Sequence, residues 1–340
     1  MLVRTPHDHN RVPALSPLQV TYRRAGRIRE LLADETLLAA FSFGWSPPLC
    51  VDNPRCVTVG LPELGGGDSL ECWFSPSPVE AGYEDGIGFS CNDGLLFGHV
   101  RVAGRDDGNL EQTTFRLYSR LSQFASDRQF PHLLRVWNYF PEICAIRHGQ
   151  ERYHAFSAGR YRALVKMLGS ERKLPAATAI GSQSTDMLIY FLSAREPGLQ
   201  VENPRQISAF RYPPQYGPKS PAFSRAILKR WGSKEHLYIS GTASVVGHES
   251  RHEYDVLLQL REILSNFTAL IANARRLHRL NIGSISDLSA LKVYLRDSAD
   301  YEPVRRVLAE AIGDSVSCVF LQGEICRPDL RLEIDGLYCS

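Results

Sequence analysis

One carboxyl group near the end of the chain is the first candidate for acid or base chemistry. Residues 330–335 alternate apolar and charged side chains, which predicts a strand with one buried face and one polar face. Glu333 lies on the polar face of this strand. A carboxylate in that position is most often simply solvated. It becomes a catalytic candidate only in combination with residues elsewhere in the chain.

A second candidate is the segment 210–225, which combines cationic groups, phenols and prolines. Tyr212 and Tyr216 supply hydroxyl groups, and Arg225 supplies a guanidinium that can bind a carboxylate with two parallel hydrogen bonds. Four prolines restrict the backbone, so the segment can hold these side chains without a strand ladder. Two interpretations stay open: a pocket for an anionic small molecule, or a rigid surface loop with solvated charges.

Small residues surround Gly241 in the predicted strand 237–243. They allow another group to approach the backbone closely, so Gly241 is expected at the floor of a cavity. A tightly packed crossing of strands is the alternative. His248 follows Gly247. A histidine in that position is more typical of a turn or a cap than of a general base, so we give it no catalytic role.

Other kinds of chemistry have no support in the sequence. It contains no G-x-S-x-G elbow and no Gly-rich phosphate loop. The eight cysteines form no CxxC pair and show no zinc-type spacing with histidine, so we expect neither a metal nor another cofactor. What remains is acid or base catalysis by a carboxyl group in a pocket lined by Arg and Tyr.

Composition restricts the partners and the compartment. The net charge is +2 and the basic residues are scattered, so nucleic acid is not an expected partner. No apolar run approaches the ~18 residues of a spanning helix, and the N-terminus lacks an apolar signal core. We therefore expect a cytoplasmic protein that does not enter a membrane.

The elements that must position these side chains fall into two groups. The chain has 340 residues, and the pattern predicts an α+β fold of two lobes, with each sheet covered by helices on one face. We place the boundary at residue 148, giving lobes 1–148 and 149–340, and find no convincing internal repeat. The predicted strands are 56–60, 96–102, 135–141, 177–181, 186–192, 206–212 and 237–243, and the predicted helices are 110–130, 253–280, 304–312 and a stretch opening at 157.

Six segments taken together resemble the chorismatase family, whose members act on chorismate and have a YjgF/RidA-like (chorismate-mutase-like) fold. The resemblance covers most of residues 130–340. The first 130 residues match only loosely and are expected to form a degenerate copy of the second lobe. The motifs are WNYFPEI (137–143), AGRY (158–161), PAATAIG (175–181), YGPKSP (216–221), SGTAS (240–244) and CRPDL (326–330), the last running into Glu333.

The resemblance implies roles for several of these residues. Glu333 matches the catalytic glutamate of the family. In the small YjgF/RidA proteins an arginine on the preceding strand binds a carboxylate, and Val316 stands at the matching place here. Imine hydrolysis of the small-protein type is therefore not expected, and carboxylate binding falls to other residues. The substrate-binding residues that the resemblance implies are Tyr153, Arg160, Tyr212, Tyr216 and Arg225.

The resemblance also implies a reaction. Gly241 and Cys326 resemble the pair found in members that make 3-hydroxybenzoate, and we group both with Glu333 as catalytic residues. We expect Glu333 to protonate the enolpyruvyl group of chorismate, releasing pyruvate and 3-hydroxybenzoate, with 4-hydroxybenzoate left open. One alternative is a chorismate hydrolase that gives 3,4-dihydroxycyclohexa-1,5-diene carboxylate and pyruvate. Another is a non-catalytic YjgF/RidA-like module that binds carboxylates. A monomer is expected, and an oligomer stays open.

Overall fold

A small sheet precedes two larger lobes in the computed structural model, which describes residues 16–44, 52–103, 109–313 and 315–340. The elements of this first part are β1 (Gln19–Arg24), α1 (Ile28–Ala33), β2 (Leu37–Phe43), β3 (Cys56–Val59) and β4 (Ser69–Phe74). The strands pair in the order β1-β4-β2-β3. The predicted strand 56–60 is confirmed as β3.

The first lobe is built on a six-stranded sheet. Its elements are β5 (Glu80–Glu84), β6 (Ile87–Cys91), β7 (Leu95–Val102), α2 (Leu110–Asp127), β8 (His132–Pro141), β9 (Ile146–Arg147), β10 (Gln150–Glu151), α3 (Arg152–Leu168), β11 (Ala176–Ser182) and β12 (Met187–Ala194). The sheet order is β11-β8-β12-β7-β6-β5, and β9 and β10 form a separate short hairpin. Helix α2 begins after Asn109, whose side chain accepts a hydrogen bond from the Gln112 amide and so caps the helix.

The second lobe is built on another six-stranded sheet. Its elements are β13 (Leu199–Val201), β14 (Ala226–Trp231), β15 (Lys234–Ala243), β16 (Val245–Val246), β17 (Glu249–Ser250), α4 (Val256–His278), β18 (Ala290–Leu295), α5 (Tyr301–Ile312), β19 (Ser317–Gln322) and β20 (Leu332–Cys339). The sheet order is β13-β14-β15-β20-β18-β19, and β16 and β17 form a separate hairpin.

The two lobes repeat one topology. Each runs through three antiparallel strands, a helix, a strand, a second helix and two final strands, and the strand orders of the two sheets correspond position by position. In each lobe the second helix connects a parallel pair, β8 with β11 and β18 with β19. Such a crossover helix packs back onto its own sheet. The repeat is thus visible in the fold although the sequence gives no convincing sign of it.

The sheets face each other and the helices lie outside. Trp137 and Tyr190 of the first sheet and Tyr238 and Tyr294 of the second meet in one core between the sheets. Helices α2 and α3 pack on the outer face of the first sheet, and α4 and α5 pack on the outer face of the second. This arrangement confirms the predicted α+β class and the helical cover on one face of each sheet.

The predicted lobe boundary at residue 148 needs correction. Strands β11 and β12 follow that residue in sequence, yet they pair with β8 and β7 and complete the first sheet. The division between the sheets therefore lies after Ala194, where β12 ends, and before Leu199, where β13 begins. The crossover through α3 explains the error, because a helix in mid-sequence resembled the start of a new lobe.

Two strand predictions differ from the structure. Residues 206–212 form a loop with a short 3-10 turn at Ala209–Arg211 instead of a strand. The last strand, β20, begins at Leu332, and both of its faces are buried. Helix α4 packs on one face, and the other face is turned toward the opposite sheet. The other strands and helices predicted from 96 onward are found at or near their expected positions. Within the described ranges, no helix has the length and apolar character to cross a membrane.

Candidate active site

A cavity of about 600 Å³ opens where the two lobes meet. Its walls come from β11, β15 and β20, from the first half of α3, and from segments 206–225 and 326–330. A concave site of this size suits a small molecule. All eight residues singled out in the sequence line it: Glu333, Cys326, Gly241, Tyr153, Arg160, Tyr212, Tyr216 and Arg225.

Polar contacts between β11 and β15 hold the lobes together beside the cavity. The Ala177 amide donates a hydrogen bond to Ser240 Oγ at 2.8 Å, and Ser240 Oγ donates to the Ser224 carbonyl at 2.6 Å. Next along β15, the Gly241 amide donates to Thr178 Oγ1 at 3.0 Å. Motifs PAATAIG and SGTAS therefore meet at this seam, and their small side chains leave the space that becomes the cavity.

Gly241 is needed for the placement of Glu333. A Cβ atom added at Gly241 would overlap Glu333 Oε1 and would lie 2.8 Å from the carboxyl carbon. The prediction that Gly241 lies at the floor of a cavity is in line with this geometry. The free space above the glycine is, however, taken up by the Glu333 carboxyl group and is not left open for a ligand.

Glu333 is a buried acid. Its side chain points between the sheets, and the residue is only 6% exposed. Burial, and after it the negative charge of Asp335, raises the pKa of the Glu333 carboxyl to about 8, against the opposing effects of Arg135 and Arg225. The group is therefore protonated at neutral pH and can act as a general acid.

Asp335 lies two residues further along the same face of β20 and is surrounded by donors. Its Oδ2 atom accepts hydrogen bonds from Trp137 Nε1 at 3.0 Å, Thr178 Oγ1 at 3.0 Å and the Tyr294 hydroxyl at 2.9 Å. The Arg135 guanidinium forms an ion pair with the same atom at 3.0 Å. This buried pair lies behind Glu333 and does not line the cavity.

Arg160 presents unused donors to the cavity from α3. The residue is 1% exposed, and within the described part of the chain its Nε and Nη2 atoms have no hydrogen-bond partner. The guanidinium carbon lies 4.9 Å from the centre of the Phe156 ring. A buried cation with unpaired donors is costly unless an anion binds there. The site therefore suits a carboxylate.

Arg225 supplies a second buried cation. Its Nη2 atom donates to the Tyr212 hydroxyl at 2.7 Å and to the Ile207 carbonyl at 2.8 Å. Its Nε atom has no partner among the described residues. The segment 210–225, for which the sequence leaves a pocket and a solvated surface loop open, thus forms part of the cavity wall.

Arg327 lies at the mouth of the cavity and bridges two of its walls. The sequence did not single out this residue. Its guanidinium lies 4.1 Å from the centre of the Tyr216 ring. Its Nη1 atom donates to the His248 carbonyl at 2.9 Å and to Ser250 Oγ at 3.2 Å. The Tyr216 hydroxyl lies 3.2 Å from His248 Nδ1. Arg327 thereby connects the loop 206–225 with the hairpin of β16 and β17.

Cys326 and Tyr153 are neutral lining groups. Burial, together with the nearby Glu333, raises the pKa of the Cys326 thiol well above its usual range. Burial also raises the pKa of the Tyr153 hydroxyl. A thiol that stays protonated is a poor nucleophile, so a covalent role for Cys326 has no support. Among the described residues no cluster of His, Cys, Asp and Glu could hold a metal ion.

Several residues at the site were missed in the sequence. Asp335 carried a usable signal, because it shares the face of Glu333 in the alternation of β20. Arg135 and Thr178 lie in segments that looked like ordinary strands, and their role depends on contacts with residues more than 150 positions away. Val316, the place where the small relatives carry an arginine, is buried in the core beneath α4 and α5.

Comparisons with known proteins agree on one family. The model of the chorismatase FkbO/Hyg5-like N-terminal domain matches residues 71–193. A chorismatase from Streptomyces hygroscopicus is 35% identical over 315 residues, which is 91% of this chain and 91% of that protein. A protein from the same organism named 3-hydroxybenzoate synthase is 34% identical over 278 residues, covering 78% of this chain and 80% of its own length.

A solved structure extends this likeness to the fold. A crystal structure of a chorismatase superimposes with a TM-score of 0.86 at 31% sequence identity and covers 95% of this chain and 98% of the other. The chain is therefore an enzyme of the α+β class, with a cavity between its two lobes. It belongs to the chorismatase family.

Proposed function

We propose that this enzyme converts chorismate to 3-hydroxybenzoate and pyruvate. The observation that carries the proposal is the presence in one cavity of Glu333, an acid that is neutral at pH 7, and of two buried arginines with donors unused by the part of the chain that the structure describes. Chorismate carries two carboxylates and an enolpyruvyl vinyl ether, so its breakdown requires both anion binding and an acid. The names of the relatives, chorismatase and 3-hydroxybenzoate synthase, support the same substrate.

The two carboxylates of the substrate would be bound by Arg160 and Arg225. Each guanidinium is buried and, among the described residues, has at least one nitrogen without a partner, so each can form charge-assisted hydrogen bonds that are strong in a site shielded from water. Tyr212 already holds Arg225 in place through its hydroxyl. Tyr153 and Tyr216 would complete the walls around the bound ring.

Glu333 would start the reaction by protonating the methylene carbon of the enolpyruvyl group. The electron pair of the carbon–carbon double bond takes up this proton, and the cation that forms is stabilised by the ether oxygen. Cleavage of the bond between this oxygen and the ring then releases pyruvate. General acid catalysis of this kind contributes about 10² to 10⁴ in rate.

The ring product depends on what replaces the departing oxygen. In the proposed route the 4-hydroxyl oxygen of the substrate bonds to the neighbouring ring carbon as pyruvate leaves, and the Glu333 carboxylate accepts the hydroxyl proton. The strained three-membered ring then opens by cleavage of the original bond between carbon 4 and the oxygen, and the oxygen takes a proton back from the Glu333 carboxyl. Loss of the proton on the carbon that keeps the oxygen makes the ring aromatic and gives 3-hydroxybenzoate. No water is consumed, so chorismate is divided into the two products without any added atoms.

Two lining residues favour this intramolecular route. Cys326 is a neutral, weakly polar group at the cavity wall, where it would limit the access of water to the ring. Gly241 fixes the carboxyl group of Glu333 at the floor of the cavity, where the same carboxyl can deliver one proton and accept another. Both residues also resemble the pair found in members of the family that make 3-hydroxybenzoate.

Hydrolysis to the dihydroxycyclohexadiene carboxylate and pyruvate is the second candidate. The observation that favours it is the mouth of the cavity, where Glu249, Arg251 and Glu253 are exposed charged residues past which water would enter. The non-catalytic alternative is set aside because the relatives that match most of the chain are named as enzymes. Both walls of the cavity come from one chain, which supports the proposal that a monomer suffices.

Incubation with chorismate followed by chromatography against authentic standards tests the proposal. We expect 3-hydroxybenzoate and pyruvate in equal amounts. In D₂O, with pyruvate reduced at once to lactate, the methyl group should carry one deuterium from the acid. The matched variant Glu333→Gln should bind a chorismate-like inhibitor but release no pyruvate. Turnover by this variant at the native rate contradicts the role of Glu333, and the diene as sole ring product favours hydrolysis.

A further inference from the structure

A buried ion pair lies directly behind the candidate acid. Asp335 and Arg135 are joined at 3.0 Å, and both side chains are almost completely buried. Asp335 follows Glu333 on the same face of β20, so the two carboxyl groups are separated by only two strand positions, about 7 Å along the chain. Neither member of the pair lines the cavity, so neither can contact a ligand there.

Thr178 connects the pair to the floor of the cavity. Its Oγ1 atom accepts a hydrogen bond from the Gly241 amide at 3.0 Å and another from the Arg135 guanidinium. It donates its single proton to Asp335 at 3.0 Å. A hydroxyl has one donor and two acceptor positions, so all of its positions are occupied. The hydroxyl of Thr178 therefore has no proton to offer the neighbouring Glu333 carboxyl.

The orientation of Asp335 is fixed from several elements. Trp137 and Arg135 approach it from β8, Thr178 from β11 and Tyr294 from β18. These donors hold the negative charge of Asp335 in one place on the face of β20. A charge held rigidly in a dry interior acts on its neighbours far more strongly than the same charge in water.

We infer that Asp335 and Arg135 are positioning residues for the reaction: Asp335 keeps the Glu333 carboxyl protonated and ready to act as the acid, and Arg135 holds Asp335 in place. This inference rests on the proposed function of Glu333. Asp335 favours the neutral carboxyl because two neighbouring negative charges repel each other, and Arg135 limits this effect and keeps Asp335 in place.

Other charged and titratable groups also face Glu333. Arg225, from the loop before β14, favours the ionised carboxylate. Tyr153 of α3 and Cys326 of the segment before β20 are neutral and line the same cavity. Among these groups Asp335 is the one that opposes ionisation by its charge, so its removal leaves Glu333 facing arginines alone.

Two substitutions should move the pH dependence of pyruvate release in opposite directions. Asp335→Asn removes the repelling charge, so the loss of activity at high pH should begin about one pH unit lower or more. Arg135→Gln removes a positive charge that favours the ionised carboxylate, so the loss of activity should begin at higher pH than in the wild type. A purely structural role would lower activity in both variants without these opposite shifts. If the loss of activity at high pH begins at the wild-type pH in both variants, the inference is overturned.

Removal of one partner of a buried ion pair can prevent folding, so a double variant is needed. Asp335→Asn combined with Arg135→Gln leaves no unpaired charge. The pH at which this double variant loses activity should lie between the values of the two single variants. Titration of the ¹³C-labelled Glu333 carboxyl in the ligand-free protein provides a reading without turnover. If the wild-type protein releases no pyruvate, the proposed function fails. The titration still tests the inference, which requires the Glu333 midpoint to be lowest in Asp335→Asn, intermediate in the wild type and highest in Arg135→Gln.

Discussion

The two lobes repeat one topology but differ at the strand that carries the candidate acid. Glu333 is the second residue of β20 and pairs with Tyr294 of β18. The equivalent residue in the first lobe is Leu188, the second residue of β12, which pairs with Tyr139 of β8. The two tyrosines are equivalent, and their hydroxyl groups lie 3.0 Å apart between the sheets. Leucine in one copy thus corresponds to glutamate in the other.

The next inward position of the strand differs in the same way. Asp335 in the second lobe corresponds to Tyr190 in the first, as the registers with β18 and β8 establish. Tyr190 stacks on Trp137 with ring centres 4.8 Å apart, whereas Asp335 accepts a hydrogen bond from the same Trp137. Equivalent strand positions therefore carry an aromatic side chain in one lobe and a charged side chain in the other, and both contact Trp137.

The comparison teaches that the residues of the candidate site come from both copies. The first lobe supplies Arg160 from α3 and Thr178 from β11, whereas the second supplies Glu333 from β20 and Gly241 from β15. The first lobe is therefore not only a degenerate support. It contributes a buried cation and the hydroxyl that bonds the floor of the cavity.

The largest loss of activity is expected from a substitution that makes the second lobe resemble the first at the candidate acid. Glu333→Leu introduces the residue found at the equivalent place, Leu188, and removes the acid. Pyruvate release from chorismate should fall by about 10² to 10⁴, while the circular dichroism spectrum stays native. The matched control is Glu302→Leu on the surface of α5, which should keep full activity. Native activity in Glu333→Leu would break the comparison.

A smaller loss is expected from the cation that the first lobe contributes. Arg160→Met keeps an unbranched side chain but removes the free donors, so kcat/KM for chorismate should fall about 10-fold to 10²-fold. Most of this change should appear in KM if the interaction is already made with bound substrate. Arg162→Met is the control, since Arg162 lies on the exposed side of α3 and pairs with Glu111. Equal effects from both variants would argue against a binding role for Arg160.

Gly241→Ala should have a moderate effect that depends on displacement of the acid. The new methyl group occupies the place of Glu333 Oε1, so the carboxyl group must shift. We expect turnover to fall about tenfold, roughly the effect of 1.4 kcal/mol on the barrier, and the product ratio to move from 3-hydroxybenzoate toward the diene. Gly26→Ala, with open space around its added carbon, is the control. An unchanged ratio removes Gly241 from the choice of product.

The last prediction concerns the stability of the fold and its dependence on pH, and it needs no change in activity. The folded protein holds a proton on Glu333 up to about pH 8, whereas the unfolded chain releases it near pH 4.5. The free energy of unfolding should therefore decrease with rising pH in this window by up to about 1.4 kcal/mol per pH unit. Glu333→Gln lacks this contribution, so urea titrations should give it a flatter profile and higher stability than the wild type at pH 8. Parallel profiles would show that Glu333 is not buried in its neutral form.

Much of the fold was predictable because its signals are local. Short β-rich segments indicated β7, β8, β11, β12 and β15, and apolar periodicity indicated α2 and α4. The boundary at 148 was wrong because strand pairing is a long-range property: β11 joins β8 across a whole helix. The strand predicted at 206–212 was also wrong. These residues form a loop, which is held by tertiary contacts such as the hydrogen bond between Arg225 and the Tyr212 hydroxyl.

The sequence by itself determined which residue types were available for chemistry and which family they resemble. It located Glu333, Arg160, Gly241 and Cys326 through short motifs, and the cavity between the lobes contains all of them. Only the tertiary structure decided that Glu333 is buried beside Asp335 and keeps its proton at neutral pH. The physical reason is that protonation depends on desolvation and on charges brought close by folding, and the Arg135–Asp335 pair joins residues 200 positions apart in the chain.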